Sequence, residues 1–396
     1  KFAFLLKLVM SMINQQNHTA IYIHIPFCDR KCFYCDFCSY RSSQARKADY
    51  TETLCAEIAL YADVLRSATI SSIFIGGGTP STLPAAQIQR IFATLHRYIT
   101  LEAQAEVSCE ANPESLTPFF LETLLQCGVN RLSLGVQSFD DAVLQAIGRL
   151  HNAQRALFAV KMAQSAGLSN INIDLMYGLP LQSKASYANT LQTALALGVQ
   201  HISAYNLIVE EGTALHHQIE KGICSIPDEE EQLAMYKMTK AALENRGYKQ
   251  YEISNYALPG MECRHNLRYW QRGDYIGFGQ SAHSFLRQDG NPLRFQNVGS
   301  YAAYQSSVAQ GRRFPNPQPL TTAEEKFECI MLGLRLLKGF DYRAFDRQFQ
   351  ADFWKEYKAP LQQLQAAGLL EAEGDFVRLT QSGLKLQNQV LLRFME

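Results

Sequence analysis

The sequence predicts an α/β fold: a partial (β/α)6 barrel followed by a small C-terminal winged-helix-like domain. Short β-rich runs alternate with longer helical stretches in one repeating order, which implies parallel strands joined by crossover helices. The ends of those runs carry polar or glycine-rich residues, as the C-terminal rim of a parallel α/β barrel does. After Pro315 the chain reads as helices, a short hairpin turning at Gly374-Asp375, and a last helix.

The expected strands are "AIYIHI" (20–25), "SSIFI" (71–75), "AEVSCE" (105–110), "NRLSLGV" (130–136), "NINIDL" (170–175) and "HISAYNLI" (201–208). Between them lie helical stretches such as "ADYTETLCAEIALYADVL" and "NAQRALFAVKMAQSAG", the second stopped by Gly167. Six such units make a sheet too long and curved for a small domain, so residues 20–227 are expected to form a barrel incomplete at six strands. Residues 228–314 hold the helix "EEEQLAMYKMTKAALENRGY", closed by Gly247, and aromatic, glycine-rich strands that would extend or close the barrel's open side. Residues 315–396 would be the winged-helix-like unit. It lacks the basic recognition face of a DNA reader and is expected to act as a lid or partner-docking element.

Composition narrows the function. At 396 residues and 47% hydrophobic content the chain can bury a large core in two or three domains. Lys+Arg and Asp+Glu balance at 37 each, so nucleic acid is not expected as a partner. Four of ten cysteines crowd into Cys28–Cys38 and the rest are scattered singly, which fits a reducing, cytoplasmic location and a metal site better than a disulfide scaffold. No apolar run approaches the roughly 18 residues of a membrane span. The apolar start in segment 1–19 has no convincing cleavage site, and initiation at Met10 or Met12 is the plainer reading of a chain that begins with Lys.

The expected strand ends carry the cysteine cluster, then Gly76-Gly77-Gly78-Thr79-Pro80, Glu110, Gln137, Asp174 and Tyr205. Each alone could be a structural cap; six on one rim favour a site. Cys28-x3-Cys32-x2-Cys35 differs from the paired knuckles of structural zinc, and soft thiolates in a short loop suit iron–sulfur or zinc. Three thiolates can hold three irons of a four-iron cluster and leave the fourth open for chemistry. A zinc site with Cys38 as fourth ligand stays open as the alternative.

This pattern resembles the radical S-adenosylmethionine superfamily. More narrowly, "YIHIPFC", "FIGGGTPSTL", "CEANPE", "NRLSLGVQSF", "NIDLMYGLP" and "LTQSGLKLQNQVLLRF" resemble the branch containing oxygen-independent coproporphyrinogen III oxidase and the HemW-type haem chaperones. The resemblance implies a 4Fe–4S cluster on Cys28, Cys32 and Cys35, its open iron holding the methionine end of S-adenosylmethionine. It implies close backbone approach at Gly77 and Gly78, a nearby hydroxyl from Thr79, ribose hydrogen bonds to Glu110, and a cofactor contact from Tyr22. Residues matching Tyr34, Gln137, Arg149 and Asp174 hold a second S-adenosylmethionine in the oxidase.

Three departures favour the chaperone side of that branch. Phe37 stands where the oxidase has a further cysteine, with Cys38 one residue later; only about twenty residues precede Ile21, where the oxidase has a covering extension; and "CRHNLRYW" resembles the chaperones' HNxxYW signature. Imidazole is a standard haem ligand and flat aromatic rings suit a porphyrin face. His265 is therefore the expected haem ligand and His283 the second candidate. Cys263 is by default not a ligand, and His216-His217 reads as a solvated pair. The expected function is a haem chaperone that delivers haem to recipient apo-haem proteins, with a transient membrane-surface contact and a homodimer as compatible associations. The alternatives are oxidative decarboxylation of coproporphyrinogen III through a 5′-deoxyadenosyl radical, or a haem-degrading or methylating radical enzyme on the same cofactor site.

Overall fold

The structure, a computed structural model, describes residues 18–288 and 291–395. The apolar start and both candidate initiation sites lie outside the described residues. Six strands come first: β1 (His18–Ile25), β2 (Thr69–Gly77), β3 (Thr100–Ala111), β4 (Arg131–Gln137), β5 (Ile171–Tyr177) and β6 (His201–Asn206). Each pairs in parallel with the next. The crossovers carry helices α1 (Gln44–Leu60), α2 (Ala85–His96), α3 (Pro118–Gln126), α4 (Ala153–Ser165) and α5 (Lys184–Ala196).

Local chemistry starts and stops these helices. The side chains of Ser43, Thr117, Asn152 and Ser183 each accept from the backbone N–H three residues on, caps worth about 1 kcal/mol apiece. Past the end of α4, Gly167 takes a φ of +91°, a conformation glycine adopts without strain. β6 ends two residues short of the expected run, leaving Ile208 67% exposed on the rim.

The barrel stays open. The extension supplies helix α6 (Glu229–Glu244) and the strands β7 (Lys249–Gln250), β8 (Asn255–Ala257), β9 (Tyr275–Phe278), β10 (His283–Gln288), β11 (Asn291–Gln296) and β12 (Gln318–Pro319). The sheet runs β12-β11-β10-β9-β1-β2-β3-β4-β5-β6-β8-β7. β9 joins β1 in parallel and β8 joins β6 antiparallel, so the added strands lengthen both edges rather than joining them. β12 still belongs to this sheet, although the sequence reading begins the C-terminal unit at 315.

Strand periodicity of two sends alternate residues to opposite faces. The outward set, including Ile21, Ile23, Ile73, Leu132, Leu134 and Ile173, is buried in the main core. The inward set, including Glu106, Arg131, Ser133, Asn172 and Ser203, is buried and polar. A short helix, α7 (Arg264–Trp270), packs against β2 within that polar interior.

The C-terminal unit begins with α8 (Thr322–Gly333), started by a capping box between Thr321 and Glu324. Its own core gathers Ile330, Phe345, Phe353, Leu361 and Val377. β13 (Phe340–Asp341), β14 (Leu370–Glu373) and β15 (Phe376–Leu379) form a three-stranded sheet in the order β13-β15-β14. The expected last helix is split at Leu386 into Gln381–Lys385 and Gln387–Leu392. Arg272 ties the extension to α8 through Glu325 at 3.0 Å and Glu328 at 3.2 Å.

Candidate functional site

The cysteine loop leaves β1 and is closed at its base by hydrogen bonds from Cys28 N to Tyr40 O and from Tyr40 N to Pro26 O. Gly78 N and Thr79 N donate to Ile25 O and Phe27 O at 2.8 and 2.7 Å, stitching the end of β2 to the loop's root. Farther out, Phe33 N donates to Ile147 O, Leu215 N donates to Phe33 O, and the Arg30 guanidinium holds Gly148 O and Arg149 O. Backbone contacts, with the Arg30 side chain, thus hold the loop at its root and along its outer edge.

The three thiols of the C-x3-C-x2-C pattern face one cavity of about 450 Å³ at the C-terminal ends of the strands. Cys28 Sγ lies 3.3 Å from Thr79 Oγ1, and Arg149 Nη1 donates to Cys32 Sγ at 3.3 Å. Burial pushes the Cys28 and Cys35 thiols up, so their thiolate forms call for a cationic partner such as iron. The three sulfurs are not gathered within 4.8 Å of one another, whereas a single tetrahedral zinc with Zn–S of about 2.3 Å would draw them to about 3.8 Å. Cys38 lines a different cleft and accepts from Gln280 Nε2 at 3.4 Å. The donor set therefore fits a cluster held by three thiolates better than zinc held by four.

The residues expected to hold the cluster and S-adenosylmethionine, and the expected haem ligand His265, line this same cavity: Tyr22, Tyr34, Gly77, Gly78, Thr79, Glu110, Gln137, Arg149, Asp174 and His265 join the three cysteines, whereas the second haem candidate, His283, lines a neighbouring cleft. Glu110 accepts from Gly77 N at 3.0 Å. Its burial, with the charge of Asp174 added and the Gly77 N–H opposing, raises its carboxyl to about 8. Asp174 accepts from Asn172 Nδ2 at 2.8 Å and Ser133 Oγ at 3.3 Å, and burial raises its carboxyl too. Arg149 Nη2 donates to Asn112 Oδ1 at 2.8 Å and Gly135 O at 2.5 Å. Gln137 follows a register shift between β4 and β5 and sits at φ +66°, a bulge-like turn of the kind found beside active sites.

Three of these residues have their polar atoms already engaged. Thr79 Oγ1 accepts from Asn112 Nδ2 at 3.0 Å besides meeting Cys28. Tyr22 O–H meets His24 Nδ1 at 2.9 Å. His265 is 1% exposed; Ser72 Oγ lies 2.9 Å from its Nδ1 and Tyr269 O–H lies 2.8 Å from its Nε2. Burial and the nearby charge of Arg131 lower His265 to about 3. The glycine pair also has a local reason: a Cβ on Gly78 would fall 2.7 Å from Phe27 O and 2.8 Å from Ile25 O, and one on Gly77 would strike the His24 ring.

The sequence reading passed over Asn112, Arg131, Ser133, Asn172 and Ser203, which line the cavity as well, together with Asn266 of the HNxxYW segment. Strands buried on both faces of a parallel sheet usually read as continuous apolar runs. "NINIDL" and "RLSLGVQ" alternate instead, and that alternation was the available sign of a polar interior.

Beside the first cavity lies a cleft of about 850 Å³, and Tyr22, Phe37, Gly77, Glu110 and Tyr269 line both. α7 contributes His265 to the first and Trp270 to the second.

Residues 22–194 match the Radical SAM superfamily and residues 320–386 match the HemN C-terminal domain. The chain is 35% identical to the heme chaperone HemW of Bacillus subtilis (strain 168) over 94% of this chain and 98% of that one. It is 33% identical to the heme chaperone HemW of Escherichia coli (strain K12), over 95% and 98%. The chain belongs to the HemW family of radical SAM proteins. A bovine relative in the same range, the mitochondrial radical S-adenosyl methionine domain-containing protein 1, is 33% identical over 95% of this chain and 87% of that one. Among solved structures, Escherichia coli coproporphyrinogen III oxidase (HemN), a radical SAM enzyme, superposes with a TM-score of 0.84 at 26% identity, covering 96% of this chain and 90% of that one. Membership of a radical SAM family brings a 4Fe–4S cluster and S-adenosylmethionine, and the three-thiol cavity fits both. Among the described residues no helix is long and apolar enough to cross a membrane.

Proposed function

We propose that this protein binds haem and hands it to recipient haem proteins, with a 4Fe–4S cluster and S-adenosylmethionine seated at the barrel rim. The observation that carries the reading is α7: the HNxxYW segment is built into the wall between the cysteine-lined cavity and the larger aromatic cleft. A volume of about 850 Å³ lies in the range of about 300–1,000 Å³ typical of ligand pockets.

Cys28, Cys32 and Cys35 would hold the cluster. Glu110 would receive the ribose hydroxyls, Tyr22 and the Gly77-Gly78 edge would bound the nucleoside, and Tyr34, Gln137, Arg149 and Asp174 would close the far side. When bound, the cluster and S-adenosylmethionine supply one-electron chemistry. This chain's own part is to orient them: Arg149 offsets thiolate charge at Cys32, and the hydrogen-bonded carboxyls of Glu110 and Asp174 shape the polar wall.

All ten cysteines are free, which favours a reducing compartment, here proposed as the cytoplasm. Phe37, Leu181 and Ile208 are 63%, 72% and 67% exposed, an apolar set suited to a recipient protein, a membrane surface or a second copy of the chain; sedimentation with and without liposomes checks the last two. The deciding test is anaerobic reconstitution, haem titration, and then coproporphyrinogen III with S-adenosylmethionine and a reductant. Haem binding without protoporphyrinogen formation is expected. Robust decarboxylation without haem binding would instead place the chain's activity with that of the HemN enzyme whose fold it shares.

A further inference from the structure

The larger cleft is bounded by three elements. His283 and Phe285 on β10 and Arg294 and Gln296 on β11 are paired across the hairpin and all line it. Tyr269 and Trp270 of α7 form a second wall, and α8 supplies Glu328, Met331 and Leu332. The slot thus lies between the barrel extension and the C-terminal unit.

Two buried donors on this lining have no acceptor among the described residues, Arg272 Nη2 and Trp270 Nε1. Arg272 is 6% exposed, sits at the unusual φ of +54°, and spends its other nitrogens on Glu325 and Glu328. Its guanidinium stacks 4.8 Å from the Phe285 ring centroid. An orphaned buried guanidinium N–H costs stability unless a ligand completes it, and a carboxylate does so best. His283, by contrast with His265, is exposed and its ring makes no hydrogen bond to a described residue. An unengaged imidazole, flat aromatic walls and an orphaned guanidinium together describe a site for a planar iron macrocycle bearing carboxylates.

We propose that the cleft between β10, α7 and α8 holds haem, with His283 as axial ligand and Arg272 pairing a propionate. This rests on the haem-carrier reading and moves the ligand away from His265, which could reach iron only by giving up Ser72 or Tyr269. The HNxxYW helix then acts as the wall that presents Tyr269 and Trp270 to the macrocycle, while His265 holds that wall to β2.

The test uses the full-length, cluster-reconstituted protein titrated with haem in the absence of oxygen. His283→Ala should shift the Soret band and weaken binding roughly tenfold or more, and His283→Cys should give a thiolate-ligated spectrum. His265→Gln, in protein shown to be folded by its thermal transition, should keep the wild-type spectrum. Haem dimethyl ester, whose esters cannot pair with Arg272, should bind wild type roughly tenfold or more weakly than haem. A spectrum unmoved in His283→Ala, a spectrum lost only in His265→Gln, or equal binding of the ester would overturn this site while leaving haem carriage intact. Absence of any Soret band from the wild type would overturn both.

Discussion

Cys28, Cys32 and Cys35 share a cavity that Cys38 does not line, and this division makes an early check possible. Replacing any of the first three by Ala should abolish the visible absorbance of the anaerobically reconstituted protein, whereas Cys38→Ala should keep most of it; equal loss would indicate a fourth ligand. Glu110→Ala should weaken S-adenosylmethionine binding roughly tenfold with iron retained, because the ribose hydroxyls lose their carboxyl acceptor; calorimetry reads the affinity and iron analysis the cluster. Gly78→Val is expected to behave differently. Its Cβ would meet Phe27 O, Ile25 O and Phe27 N within 2.9 Å, so the root of the cysteine loop must move. Reduced iron content, and not only a weaker nucleoside affinity, is the expected result.

α7 is short, yet its hydrogen bonds join several strands. Arg264 N and His265 N donate to the Glu106 carboxylate on β3, and His265 meets Ser72 on β2. His265 binds a proton near 6.5 when unfolded and near 3 when folded. The folded state therefore refuses a proton that the unfolded chain accepts, and the stability tied to this group is present above about 6.5 and lost as pH falls toward about 3. His265→Gln should cost about 1–3 kcal/mol at neutral pH by leaving a buried hydroxyl unpaired. Thermal melts at a series of pH values should show the gap from wild type narrowing on acidification. A constant gap would mean that His265 is protonated in the native state.

The barrel and the C-terminal unit meet at Glu328, which accepts from Arg272 Nε at 3.2 Å and pairs with Arg294. Glu328 is 7% exposed, so its loss leaves Arg272 buried with Glu325 as its remaining carboxylate partner. Breaking a buried ion pair from one side typically costs about 3–5 kcal/mol. Glu328→Ala should lower the urea midpoint by a comparable free energy and, by loosening the cleft between the two units, weaken haem binding as well. Undiminished stability would show that the seam is held by the apolar contacts of α8 instead.

The order of strands and helices was legible because parallel crossover units repeat in the chain and several of the crossover helices carry their own caps, as Ser43, Thr117 and Asn152 show. The cysteine spacing and the polar strand ends were legible for the same reason: strand ends of one parallel sheet must share a rim. What local pattern could not contain is which nitrogen of which histidine is free. His265 stands in the more conspicuous motif but is sealed between Ser72 and Tyr269, residues 193 positions before it and 4 after it. His283, the second candidate, stands on a hairpin outside that motif and lines a cleft that exists only where β10, α7 and α8 converge. Periodicity and capping act over a few neighbouring residues and are written in the chain, whereas burial, open barrel edges and the seam with the C-terminal unit arise from contacts far apart in sequence, which only the folded structure brings together.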